Sequence, residues 1–281
     1  NEEGKVSYPV VLQNGDFESP VVSSNYYKFY AGAKITESEI QDPNMIGWST
    51  TSKDNMVEIG NLSTAGAASQ YNCRQARDGR QIAELNANVA GLLFQRIATL
   101  PNQTLHWGFS HRARGSAGIT DETMSMWIGS HDQIEQARAI YDRFALLDSS
   151  DENALTRDEA MAMIDELAER LQFTNVVHTA TFNSDMTTWE DIKGDFVVPS
   201  ERSVTEYAFA SWVVSTNGTA SSYGNLLDRV YLSDSIPVEK YNLQVTLGEG
   251  GTVYINDSSV LLTIVPGDPF FKTYDAGTRI L

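Results

Sequence analysis

Gln13-Asn14-Gly15-Asp16-Phe17-Glu18-Ser19-Pro20 and Tyr223-Gly224-Asn225-Leu226-Leu227-Asp228-Arg229-Val230-Tyr231-Leu232 decide the fold. Asn14-Gly15 is a strong turn signal, and two carboxylates flank the aromatic that follows it. The second stretch reads as a strand, with one acid set among apolar residues. Taken together they are the opening turn and the closing strand of an antiparallel β-sandwich. If the first and last strands lie side by side, Asp16, Glu18 and Asp228 converge on one hard cation. Calcium, which takes carboxylate and carbonyl oxygens, is the expected ion. The alternative is that Asp16 and Glu18 decorate a turn and Asp228 caps a strand.

Between these stretches the chain punctuates like a β protein. Val6 to Leu12, Gly47 to Thr51, Met56 to Ile59, Gln81 to Leu85 and Leu92 to Ile97 are strand candidates. Leu105 to Arg112 alternates, with Leu105, Trp107, Phe109 and His111 on one face and His106, Gly108, Ser110 and Arg112 on the other. Thr123 to Ile128 repeats that period. From Asp132 to Leu171 the period turns helical, with one stripe of Ile134, Ala137, Ile140, Tyr141, Phe144 and Leu147 and another of Ala160, Ile164, Leu167 and Leu171. This predicts a helix-loop-helix insert over 131–172. Strand patterning resumes at Val176 to Phe182 and continues through Asp195 to Val198 and Glu206 to Val214. Near Ser235 to Val238 the chain leaves this domain. The expected division is a binding domain over 1–237 and a small β module over 238–281, with strand pieces from Tyr241 onward.

Composition narrows the function. The 281 residues carry 37 acids against 20 bases, a formal net charge of -17. Nucleic acid is excluded as a partner, because phosphates need a positive surface. No apolar run approaches the roughly 18 residues of a membrane helix, so no membrane insertion is expected. Cys73 is the one cysteine, so no disulfide forms within the chain, and it reads as a buried or incidental thiol. The chain begins at Asn1 rather than Met, as a processed exported chain would, and it ends inside a strand pattern, as a truncated module would.

These motifs resemble a known family. Asn14-Gly15-Asp16-Phe17-Glu18, Gly47-Trp48-Ser49-Thr50-Thr51, Gln81 to Asn88, Ser110-His111-Arg112-Ala113-Arg114-Gly115 and Gly224 to Asp228 carry the likeness. Their order and spacing are similar to the galactose-binding-like jelly roll of carbohydrate-binding modules, in versions found in surface proteins and adhesins of Gram-positive bacteria. The resemblance covers roughly residues 8 to 235, apart from the insert. It implies a mainly β sandwich and a structural calcium held by Asp16, Glu18 and Asp228. Residues 241 to 281 resemble the opening of an internalin-type B repeat, a stalk element, through Tyr241 to Val245, Glu249 to Val253 and Tyr274 to Thr278.

A second calcium candidate lies between the predicted helices. Asp148, Ser150, Glu152, Thr156 and Glu159 occupy positions one, three, five, nine and twelve of an EF-hand-length loop, with Asn153 where glycine is usual. Thr156-Arg157-Asp158-Glu159 is also a capping box, which explains Thr156 and Glu159 without an ion.

For sugar recognition, aromatic faces and bidentate polar side chains are needed. Glu84, Asn86, Asn88, His106, Arg112 and Arg114 are the candidates for a polar groove, with Tyr26 and Tyr27 in a loop cluster that also holds Tyr30. Solvated surface is the alternative for each. Trp48, Trp107 and Phe109 read as core. The sequence holds no nucleophile elbow, zinc-protease helix or phosphate loop.

The expectation is a noncatalytic, calcium-stabilised, extracellular carbohydrate-binding module of a bacterial surface protein. It would bind a glycan or host glycoprotein as a monomer within a larger multidomain chain. The alternatives are an adhesin domain for a host protein and a structural spacer, with a hydrolase last.

Overall fold

The computed structural model describes residues 12–23, 27–32, 47–115, 121–145, 153–214 and 220–235 in full, and the backbone of four strands within 240–275. The chain divides into two units, Asn1–Ser235 and Ile236–Leu281.

In chain order the first unit comprises β1 (Tyr27–Ala31), β2 (Ser49–Thr50), β3 (Met56–Asn61), α1 (Ala67–Tyr71), β4 (Gln81–Glu84), β5 (Leu93–Ala98), β6 (Thr104–Arg112) and β7 (Asp121–Gly129). The helices α2 (His131–Ala145) and α3 (Arg157–Leu171) follow. The unit ends with β8 (Thr174–Thr181), β9 (Glu190–Val197), β10 (Val204–Ser211) and β11 (Leu226–Ser233). A six-stranded sheet runs β1-β3-β4-β11-β6-β9, and a five-stranded sheet runs β2-β5-β10-β7-β8. All pairings are antiparallel. This is the expected mainly β sandwich of jelly-roll type, with its helical insert.

Side-chain alternation assigns the layers. Leu105, Trp107 and Phe109 of β6 meet Met124, Met126 and Ile128 of β7 and Tyr207 and Phe209 of β10 between the sheets. Trp48 and Phe17 join them, stacked at 5.4 Å. His111 continues the inward face and is fully buried, 2.7 Å from Asn225 and 2.8 Å from His178.

The five-stranded sheet is apolar on its outer face as well. Phe94, Trp127, Ala208, Ala210 and Trp212 leave that face and pack against Ile134, Ala137, Tyr141 and Phe144 of α2 and Ala160, Ile164 and Leu167 of α3. Small residues on β10 let α2 approach closely. Tyr141 donates to the Ser211 carbonyl at 2.9 Å and meets Trp212 edge to face. The insert is thus a third layer that closes this face.

Three details differ from expectation, and one expected strand is not tested. Tyr27 and Tyr30 lie on β1, paired with β3, rather than in a loop. β9 begins at Glu190, ahead of the predicted strand. α1 was not predicted; five residues are too few for a helical period to register. Val6 to Val11 lies outside the described residues.

In the second unit, β12 (Lys240–Val245) pairs with β15 (Phe270–Asp275), and β13 (Val253–Asp257) pairs with β14 (Val260–Ile264), both antiparallel. No described helix is long and apolar enough to cross a membrane.

Candidate functional site

The opening and closing stretches do meet. The Val230 amide donates to the Gly15 carbonyl at 2.7 Å, beside the register shift that interrupts β11 between Asp228 and Tyr231. Glu18 and Asp228 then grip the same segment, 77–81. Asp228 accepts from the amides of Arg77, Asp78 and Arg229 at 2.7, 2.9 and 2.6 Å. Glu18 Oε1 accepts from the amides of Arg80 and Gln81, both at 2.6 Å. Gly79, at φ +60°, turns between the two grips, and a Cβ there would run into the Glu18 carboxyl. Asp228 is completely buried, and burial pushes its carboxyl well above the usual range. Burial raises Glu18 too, with Asp16 and Asp78 adding like charge.

The donor chemistry suits calcium, but the carboxylates are turned to amides rather than to one another. Asp16 accepts from the Glu18 amide at 3.3 Å. Among the described residues, no group of three or more His, Cys, Asp or Glu is placed to hold a metal ion. In the second calcium candidate, Asp148, Ser150 and Glu152 lie outside the described residues. Thr156 and Glu159 form the capping box of α3: the Glu159 amide donates to Thr156 Oγ1 at 3.3 Å, and the Thr156 amide donates to Glu159 Oε2 at 2.9 Å. Those bonds hold the Glu159 carboxyl below its ordinary range.

The predicted polar groove is not assembled. Glu84, Asn86, Arg112 and Arg114 are all buried, contrary to the expectation of ligand-facing side chains. Arg112 is a clamp beneath the surface, donating to the carbonyls of Thr188, Asn72 and Asn183 at 2.5, 3.2 and 2.7 Å. Asn86 donates to the Ser221 carbonyl at 2.8 Å. Asn88 is exposed in the loop after β4, and His106, half-buried at the far end of β6, sits 2.6 Å from Asp195. Tyr27 is half-buried on β1, and Tyr26 lies outside the described residues. The loop through 116–120 is also outside them.

What the structure gathers instead is one end of the sandwich, where β6 leaves its sheet and β11 enters it. Tyr223 is the one aromatic exposed among the described residues, at 51%. The Arg114 guanidinium lies 4.6 Å from its ring centroid. Arg114 is itself fixed, donating to Glu84 Oε1 at 2.5 Å and to the Gln70 carbonyl at 3.0 Å. Next to Tyr223, the Gly224 amide donates to Glu84 Oε1 at 2.9 Å. Glu122 accepts from the amides of Arg114, Gly115 and Asn225 at 2.9, 2.8 and 2.6 Å, tying the two crossing strands together. Gly224 has φ +102°, and a Cβ there would stand 2.7 Å from Glu122. The result is an aromatic face presented to solvent on a rigid polar base. The signal for it lay in Tyr223-Gly224-Asn225, a turn dipeptide after an aromatic, just ahead of the closing strand.

The chain matches no protein-family model and no curated protein. Among solved structures it is similar to TmCBM61 in complex with beta-1,4-galactotriose, at 11% identity, 66% of this chain, 86% of that chain and a TM-score of 0.35. It is also similar to the C-terminal family 22 carbohydrate-binding module of Clostridium thermocellum Xyn10B, at 10% identity, 75% of this chain, 96% of that chain and a TM-score of 0.35. A third is the enzymatically active domain of bacteriophage CBA120 tailspike protein 4, at 12% identity, 78% of this chain, 20% of that chain and a TM-score of 0.28. At these scores the likeness assigns neither family nor ligand.

Proposed function

We propose that the Asn1–Ser235 unit is a noncatalytic carbohydrate-binding module of an extracellular bacterial surface protein. It recognises a glycan or host glycoprotein at the Tyr223 end of the sandwich. The observation that carries this is the exposed Tyr223 ring seated over Arg114. The apolar C–H face of a pyranose packs on such a ring, and a ring already held in place loses little entropy on binding. The outer face of the five-stranded sheet, the other broad aromatic surface, is closed by α2 and α3.

Calcium is proposed as the ion of the 77–81 segment, held by Glu18 and Asp228. In support, both carboxyls reach that one segment, and Asp78 pushes both upward in addition to their burial. A divalent cation relieves that environment. Residues 238–281 are proposed as the start of an internalin-type stalk repeat. A glycan array probed with the labelled chain, alongside hydrolysis assays on the sugars it retains, tests the reading. Binding without turnover supports it. Turnover moves the chain to the hydrolases, and silence on the array moves it to protein adhesion.

A further inference from the structure

Glu58 of β3 and Glu84 of β4 stand opposite one another in the antiparallel register. Both are buried. The donors that reach them come from three sides. Tyr71 of α1 donates to Glu58 Oε1 at 2.7 Å. Arg114, just beyond β6, donates to Glu84 Oε1 at 2.5 Å, and the Gly224 amide, ahead of β11, donates to the same oxygen. Glu84 Oε2 is buried with no partner among these donors. The remaining carboxylate beside Arg114, Glu122 of β7, is occupied by three amides.

Charge and hydrogen bonding fail together if both glutamates are ionised. Two carboxylates against one guanidinium leave a net negative charge out of water, and Glu84 Oε2 stays an orphan acceptor. The phenol of Tyr71 supplies no second charge, because burial beside Glu58 keeps it protonated. A single proton between the two carboxyls cures both faults. It turns the facing oxygens into donor and acceptor, and Glu58, Glu84 and Arg114 together then carry no net charge.

We propose that Glu58 and Glu84 share one proton, and that this proton is a switch holding the Arg114–Tyr223 end of the sandwich in place. Removing it sets two buried like charges face to face, and their repulsion shifts Glu84 together with Arg114, the one cation that bonds to this pair among the described residues. Arg114 packs against the rings of Tyr71 and Tyr223, at 5.4 and 4.6 Å, so its displacement unseats Tyr223. Burial raises both carboxyls, so the switch is held through the acid range and opens on the alkaline side.

The test is a carboxyl-carbon NMR titration of the whole chain, labelled on glutamate, from about pH 5 to 9.5. The Gly224 amide and the Arg114 Nε–H are followed in the same samples. The expected result is a common alkaline step for Glu58 and Glu84, shared by Gly224 and Arg114. In Glu58→Gln the amide donates to Glu84, and that step disappears. Should Glu58→Gln fail to fold, the wild-type titration decides alone. Separate ordinary acid titrations of the two carboxyls overturn the shared proton. A common step that leaves Gly224 and Arg114 unmoved overturns the switch.

Discussion

Glu18 and Asp228, from opposite ends of the first unit, hold the two halves of one segment: Asp228 takes the amides of Arg77 and Asp78, and Glu18 takes those of Arg80 and Gln81. The contact closes the sandwich between its opening turn and its last strand. It has no counterpart in local sequence, because neither acid is near the segment it holds.

Asp228→Ala strips the acceptor from three part-buried amides, and we expect it to cost about 2–3 kcal/mol, on the order of 1 kcal/mol for each bond lost. Urea unfolding with an unchanged m-value reads this directly. A loss below about 0.5 kcal/mol, the usual surface range, contradicts the structural role.

The calcium proposal makes a separate forecast. Metal analysis of the purified chain finds bound calcium, and EDTA lowers Tm, because an ion that binds only the folded state stabilises it. Asp228→Ala abolishes the EDTA response, and Glu159→Ala leaves it intact. Metal-free protein whose Tm ignores both calcium and EDTA removes calcium from the account.

Stability falls as pH rises from about 4.5 to about 8. Burial pushes Glu84 up to about 8 from an ordinary 4.5. A carboxyl raised in the folded state contributes stability that is complete below its unfolded value and is lost as pH climbs through its folded one. Glu58, Glu122, Glu206 and Asp228 are raised in the same direction, each chiefly by burial. Calorimetry across this range shows a higher Tm at pH 5.5 than at pH 8.5; the opposite slope contradicts the burial of these acids in their protonated form.

The insert is part of the core. Ile164→Ala opens a cavity against the sheet and costs about 2–5 kcal/mol. Unfolding of Asn1–Ser235 remains a single transition when followed by both tryptophan fluorescence and far-ultraviolet dichroism. A separate early melting of helix signal contradicts this.

Period carried most of the fold. The alternation through Leu105 to Arg112 set β6 and its inward face, and the stripes from Ile134 and Ala160 set two helices, because burial on one side imposes those spacings. Trp127 of β7 and Ala208 and Ala210 of β10 lay on predicted strands, but nothing local shows that the insert folds back to cover them. The site was less legible. Glu84, Arg112 and Arg114 read as solvent-facing because charge is rarely buried, and their partners, Gly224, Thr188 and Gln70, are distant in sequence. Tyr27, Phe29 and Ala31 alternate with Lys28 and Tyr30 as β1 requires, yet five residues between turn signals also read as a loop.

The most direct measurement is a calorimetric titration of the chain and of Tyr223→Ala with a glycan retained on the array. The account predicts saturable binding by the wild type and a loss of about tenfold or more in Tyr223→Ala, equivalent to about 1.4 kcal/mol, with Tm unchanged. Equal affinity in the two proteins contradicts the placement of the site at Tyr223.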